Sequence, residues 1–342
     1  MSHSYCQLSV IITVHRKRKD YITRAVNSVL NSNLKDIQLE LIIACDYEDE
    51  YIKDLGQKPG VKVVFCDDQL GHKIISGIHN ASFDIIVFLE DDDIFLPEKL
   101  ERVCYAFNNA TDLGYYHNFS MSPSSGSDLG SLNTKDCCVD NVMILSSSDF
   151  KLLSRGNPDY NMSSIAISRK LAESILKKVN DRYDLLSISP DTFIFLYAIS
   201  ERVKVAIDNQ VLTFVQKHDS LSYVAPNKSL DVFLIQSITN LYKFISEYTK
   251  FYEFFPSGFA NELIYFKLLK EKITLSILEG KKHGGRFNNL AKYLLYNVFF
   301  FPYGDSIKHT LYLSLLSVIP LPISNRIYTR RYFNYIKYKF EK

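Results

Sequence analysis

The chain has 342 residues, 46% of them apolar and 23% charged, enough for one large domain plus a smaller one, or two of ordinary size. That balance belongs to a globular protein with a real core and excludes a chain too polar to bury one. The net charge of +2 gives no reason to expect a nucleic-acid partner.

The charge is unevenly spread. Residues 325–342 carry Arg326, Arg330, Arg331, Lys337, Lys339 and Lys342 against Glu341 alone, a local +5 that leaves about −3 (2 − 5) for the rest. The opening Met1-Ser-His-Ser-Tyr-Cys-Gln runs straight into a strand without a signal-peptide pattern, so a cytoplasmic protein is expected. Six cysteines show no paired metal spacing. Cys45, Cys66 and Cys104 sit in apolar runs and read as small buried hydrophobes, and Cys137-Cys138 reads as a reduced pair.

Leu8 to Thr13 is a short β-branched strand, and Tyr21 to Leu30 has helical spacing of Ile22, Ala25, Val26, Val29 and Leu30. Strands follow at Leu39 to Ala44 and Val61 to Phe65, then a helix at His72 to Ala81. The run Ile85 to Leu89 is too short for a helix and does not alternate, which predicts a strand buried on both faces. It ends in four carboxylates, Glu90, Asp91, Asp92 and Asp93, and Pro97 then opens a helix to Phe107. Further strands are predicted at Gly114 to Ser120, Ser163 to Ile167 and Val203 to Ile207, with a helix at Arg169 to Val179. This alternation points to a doubly wound, mostly parallel α/β sheet, Rossmann-like, with helices on both faces. Residues 122–136, rich in Ser and Gly, read as a loop.

Four adjacent acids repel one another unless a cation sits among them. In open α/β sheets, ligands bind at the carboxyl ends of strands. A hard divalent ion held by one or two carboxylates and completed by substrate phosphates meets both conditions. A solvated acidic turn is the plain alternative.

The order of these pieces resembles the family 2 glycosyltransferases of the GT-A fold, inverting enzymes that use nucleotide sugars. The resemblance covers roughly residues 8–222. Ser9-Val-Ile-Ile-Thr-Val-His-Arg is similar to the family's opening strand, which implies Thr13 and His15 beside the nucleotide base. Leu41-Ile-Ile-Ala-Cys-Asp46 resembles the second strand, whose closing Asp hydrogen-bonds the base. Gly71-His-Lys-Ile-Ile-Ser-Gly-Ile-His-Asn-Ala81 resembles the helix before the acidic strand, with Lys73 near the diphosphate. Glu90-Asp-Asp-Asp-Ile-Phe-Leu-Pro97 fits Asp-x-Asp-Asp-x-x-x-Pro, with Glu90 replacing the first Asp. The match implies Asp92 as metal ligand and Asp91 on the ribose or the metal shell. Glu90 or Asp93 would orient the ligands, and Mn²⁺ or Mg²⁺ is the implied ion.

In Ser189-Pro-Asp191-Thr-Phe-Ile-Phe an acid opens an apolar helix, where the family keeps its general base. Pro190 replaces the usual Glu and leaves Asp191 as the candidate. Taken alone, such an acid is equally a first-turn residue favoured by the helix dipole. Val211-Leu-Thr-Phe-Val-Gln-Lys-His218-Asp-Ser-Leu-Ser222 resembles the family's Arg-x-His-x-x-Ser loop, with Gln216 where Arg is common. On that match His218 completes the metal or diphosphate site.

After about Pro226 helical patterns dominate, and 25 of the 46 Phe and Tyr residues fall in the last 117 positions. We therefore divide the chain into a nucleotide-sugar-binding domain over 1–225 and a helical region over 226–342. Leu290 to Phe301 and Leu311 to Ile323 are apolar but shorter than 18 residues, too short to span a bilayer. Their aromatic residues and flanking cations suit the membrane surface, and a packed bundle or a homo-oligomer contact is the alternative. The expected reaction is metal-dependent, inverting sugar transfer from a UDP-sugar, or a GDP-sugar, to a glycan or lipid-linked acceptor at the cytoplasmic membrane face. A nucleotidyltransferase and a catalytically silent, nucleotide-sugar-binding membrane scaffold are the rival readings. The first lacks its early glycine-rich phosphate loop, because no Gly precedes Gly56.

Overall fold

The computed structural model describes residues 5–15, 19–110, 112–122, 142–146, 161–180, 182–216, 230–280, 286–299 and 307–341. Contacts divide the chain into two compact units, 1–149 with 156–216, and 150–155 with 217–342.

The first unit begins with β1 (Cys6–Val14), α1 (Lys19–Leu30), β2 (Ile37–Cys45), α2 (Glu50–Gly56) and β3 (Val61–Phe65). It continues through α3 (Leu70–Asn80), β4 (Ile85–Glu90), β5 (Ile94–Phe95), α4 (Lys99–Asn109) and β6 (Leu113–Ser122). Then come β7 (Val142–Leu145), β8 (Ile165–Ser168), α5 (Arg169–Val179), α6 (Pro190–Ser200) and β9 (Lys204–Gln216). The sheet order is β3-β2-β1-β4-β8-β6-β9-β5, with β7 also on β9. From β3 to β4 every pairing is parallel. Beyond β4 the sheet is mixed: β8 runs antiparallel to β4 and β6, β9 parallel to β6, and β5 and β7 antiparallel to β9.

Leu8, Val10, Ile12 and Val14 of β1 share one core with Ile22, Val26 and Val29 of α1 and Leu100, Val103 and Phe107 of α4. On the opposite face, α3 lies against β1 so closely that a Cβ on Gly77 would sit 2.4 Å from Cγ2 of Ile11. Cover on both faces is why the parallel strands read as unbroken apolar runs. The sheet's entry is tied by Glu40, buried on β2. It accepts Ser9 Oγ at 2.5 Å, the Ser82 N–H, and Lys62 Nζ at 2.8 Å. Burial opposes ionisation of Glu40, but the bonds from Lys62, Ser9 and Ser82 outweigh it and hold the carboxyl below its ordinary range.

Two expectations are corrected. Cys104 is no isolated hydrophobe: it is disulfide-bonded to Cys6, joining the start of β1 to α4 across 98 residues. Sequence spacing could not show the pairing because only the fold brings the two within 5.9 Å between Cα atoms. Cys45 and Cys66 are free thiols, Cys45 buried and Cys66 half-buried. Nor is Leu311 to Ile323 one segment. One helix stops at Val318, and Pro320, whose carbonyl accepts the N–H groups of Ile323 and Ser324, leads into the next.

The second unit holds α7 (Leu230–Phe254), α8 (Phe259–Glu279), α9 (Arg286–Phe299), α10 (Ile307–Val318) and α11 (Leu321–Glu341). α8 is the hub and packs against the other four. Its Phe266 stacks on Tyr293 of α9 with ring centroids 5.4 Å apart. Among the described residues, no helix is long and apolar enough to cross a membrane. Cys137 and Cys138, and the 122–136 loop apart from Ser122, lie outside the described residues.

Candidate functional site

The carboxyl ends of β1, β2 and β4 are adjacent, since Thr13 sits in register with both Ala44 and Glu90. Each strand delivers polar residues where its apolar run stops. Past β2 comes Asp46, past β1 comes His15, and past β4 comes the acidic turn.

Lys73 joins two of these ends. It projects from α3, its side chain has no exposed surface, and Nζ donates to Asp46 Oδ1 at 2.7 Å and to His15 Nδ1 at 2.8 Å. A buried ammonium requires such partners. Because it only donates, Nδ1 of His15 accepts and the ring proton resides on Nε2. Burial alone would raise the pKa of Asp46, but the bond and charge of Lys73 prevail and hold it low, with the Asp46 backbone N–H assisting. The His15 N–H in turn donates to Asp91 Oδ2 at 2.8 Å, and Asp91 is fully buried. Thr13, His15, Asp46, Lys73 and Asp91, picked from separate motifs, are thus drawn together. All but Thr13 share one chain of hydrogen bonds, and Thr13 is the buried residue before that turn of β1.

Glu90, Asp92 and Asp93 form a second cluster, each offering an oxygen within 4.8 Å of the others. Asp93 N–H donates to Glu90 O at 3.2 Å, which curls the turn. An all-oxygen set of this kind fits a hard divalent cation. Asp93 is braced from outside, because Oδ2 accepts Ser163 Oγ at 2.6 Å and Asn161 Nδ2 at 2.8 Å. Lys99, fully buried at the start of α4, donates to the Ser163 carbonyl and lies 4.0 Å from the Phe95 ring centroid. Burial pushes the Lys99 pKa well down, and the charge of Asp93 pushes back.

Asn161, Ser163 and Lys99 were missed as site residues. One signal for Lys99 was available, since a cation at a helix N-terminus opposes the dipole and requires an acid nearby.

Asp191 lies in the first turn of α6 behind Pro190, half-buried, with Oδ1 accepting its neighbour Thr192 N–H at 2.8 Å. The chain segment that leads into α6 packs on α3. A Cβ on Gly71 of α3 would meet the Tyr183 carbonyl at 2.2 Å, so glycine lets the segment leading to α6 rest against the helix that carries Lys73. The rings of His72 and Tyr183 meet edge-on at 4.1 Å beside it. His218 lies outside the described residues.

This geometry has counterparts in known proteins. Residues 9–175 match the model of Glycosyl transferase family 2. An uncharacterized glycosyltransferase of Nostoc sp. is 27% identical over 136 residues, 38% of this chain and 41% of that protein. The chain therefore matches less than half the length of this relative. The crystal structure of S. aureus TarS in complex with UDP-GlcNAc superposes with a TM-score of 0.52 at 12% identity, covering 98% of this chain and 91% of that one. Another TarS structure gives 0.51 at 12% identity, covering 97% of this chain and 54% of that one. At such identity the likeness is one of fold. Residues 9–175 are thus similar to the family 2 glycosyltransferases, and the chain has the GT-A fold, followed by a helical C-terminal region.

Proposed function

We propose that this protein transfers a sugar, with inversion, from a nucleoside-diphosphate donor to a hydroxyl of a glycan or lipid-linked acceptor. The observation that carries the reading is the His15–Lys73–Asp46 network at the ends of β1 and β2, bonded through Asp91 to the acidic turn of β4. Asp46 and His15 bind the base, Lys73 supplies positive charge toward the diphosphate, and Asp91 faces the ribose. Asp92 and Glu90 would hold the metal, with Asp93 orienting them, and the family resemblance adds His218. An Mn²⁺ or Mg²⁺ ion held there would supply positive charge to offset that of the departing nucleoside diphosphate. Asp191 takes the acceptor hydroxyl proton as that oxygen forms its bond to the anomeric carbon. The bond to the diphosphate breaks on the opposite side, its electron pair leaving with the phosphate.

The likeness to TarS, whose crystal structure holds UDP-GlcNAc, supports testing UDP-sugars first and GDP-sugars second. A donor panel with Mn²⁺ or Mg²⁺, scored for released nucleoside diphosphate and for the anomer formed, is the test. Donor binding without release under every condition would make the protein a silent binder.

We also place it peripherally at the cytoplasmic membrane face. On α10, Leu311 and Leu315 stand one turn apart and are 63% and 58% exposed. On α11, exposed Ile323 and Ile327 alternate with exposed Arg326 and Arg330. Apolar side chains beside cations suit an anionic bilayer surface. A homo-oligomer contact is the other use of the same face.

A further inference from the structure

The carboxylate cluster is built on a turn that has reasons to open. Glu90 ends β4, Ile94 begins β5, and the residues between carry three consecutive negative charges at little or no exposure. Like charges this close push apart, and their oxygens lie within reach of one cation only while something else fixes the turn. β4 and β5 hold its ends, and the His15 N–H holds Asp91.

A further hold comes from Asn161 and the short helical turn Met162–Ser164, which comes far later in sequence. The Ser163 hydroxyl makes two bonds at once. It accepts the Glu90 backbone N–H at 2.9 Å and donates to Asp93 Oδ2 at 2.6 Å. It thereby bridges the first and last residues of the acidic turn. Asn161 Nδ2 gives the same oxygen a second donor at 2.8 Å, and Asn161 Oδ1 is fixed by Ser164 Oγ at 2.5 Å. The turn is itself anchored from behind, since the Ser163 carbonyl accepts both Lys99 Nζ and Thr213 Oγ1, the latter at 3.1 Å. Ser163 and Ser164 are buried, so water does not compete for these bonds.

We propose that Asn161 and Ser163 are the positioning residues of the metal site, acting through Asp93 and anchored by Lys99 and Thr213. With Oδ2 of Asp93 committed to two protein donors, Asp93 serves as a fixed wall and the ion is held by Glu90 and Asp92. Outer partners of this kind typically change metal affinity about 10–100-fold. The inference rests on the metal reading given above, and its test separates the two.

Mn²⁺ binding to the full chain is measured by electron paramagnetic resonance titration without donor, for wild type, Asn161→Ala, Ser163→Ala and Asp93→Asn. Asn161 is the milder site because it is only part-buried. Both turn variants should keep the circular dichroism of the folded protein and bind Mn²⁺ about 10–100-fold more weakly. Asn161→Ala combined with Asp93→Asn should cost little more than Asp93→Asn alone, because Asn161 acts through that carboxylate. Unchanged Mn²⁺ affinity in the folded variants, or losses that simply add in the double variant, would overturn the proposal. So would unfolding of both single variants in excess Mn²⁺, which would make the turn a structural strap. Wild-type protein that takes up no Mn²⁺ sinks the metal reading itself.

Discussion

Two carboxylates carry the sharpest expectations. Asp92 belongs to the oxygen cluster, so Asp92→Ala should abolish transfer while leaving the melting profile of the folded protein largely intact. Full turnover by this variant, or by wild type in excess chelator, would remove the metal from the mechanism. Asp191 is half-buried at the opening of α6, and Asp191→Asn keeps its shape but cannot accept a proton. Transfer should fall about 10²–10⁴-fold with donor affinity preserved. Calorimetric titration with a donor separates this from a binding role, since comparable loss of donor affinity would move Asp191 into the donor site.

At the scale of elements, the seat of α3 on β1 is decided by a missing side chain. Gly77→Ala adds a carbon 2.4 Å from Cγ2 of Ile11, a fully buried side chain. Overpacking of this kind costs about 1–3 kcal/mol, and better helix propensity returns about 1 kcal/mol, so net destabilisation is expected in denaturant unfolding. A variant as stable as wild type would mean that α3 has room to move. Glu40 ties β2 to β1 and to the turn entering β4. Glu40→Gln should lose about 1.5–3 kcal/mol at neutral pH, the usual worth of hydrogen bonds to a charged group. Because the folded-state pKa of Glu40 lies below its ordinary 4.5, this contribution is present above pH 4.5 and fades as pH falls through the lower folded value. Unfolding curves of the two proteins should therefore converge in acid. A gap that stayed constant would show that the bonds do not depend on the charge.

At the scale of the whole molecule, two features bear on location. Exposed Leu311, Leu315, Ile323 and Ile327 with nearby arginines should carry the intact chain onto anionic vesicles in a flotation assay, with partial release by salt. A chain that stays soluble with and without anionic lipid would leave this face to oligomer contacts. The Cys6–Cys104 bond supplies an independent readout. Cytosolic thiol systems keep such pairs reduced, so alkylation of intact cells should trap both as thiols if the protein faces the cytoplasm. Recovery of the disulfide under those conditions would place the catalytic unit in an oxidising compartment.

The parallel half of the sheet was legible because strands covered on both faces must be apolar along their whole length. The runs 8–13, 39–44, 61–65 and 85–89 lie inside β1, β2, β3 and β4, or coincide with them. The acidic turn was legible for the complementary reason, since adjacent charges after a buried strand need an explanation that local structure does not give. By contrast, β5 and β7 are two and four residues long and carry too little pattern to be read. The Lys73 links to His15 and Asp46, the Ser163 bridge and the Cys6–Cys104 bond join positions 27 to 98 residues apart. Sequence alone determined which residue types stand at the ends of the strands, because that is a local matter of period and charge. Which of them share a hydrogen bond was decided by the tertiary structure, because strand order and the seating of α3 and the 162–164 turn bring distant segments within 3 Å.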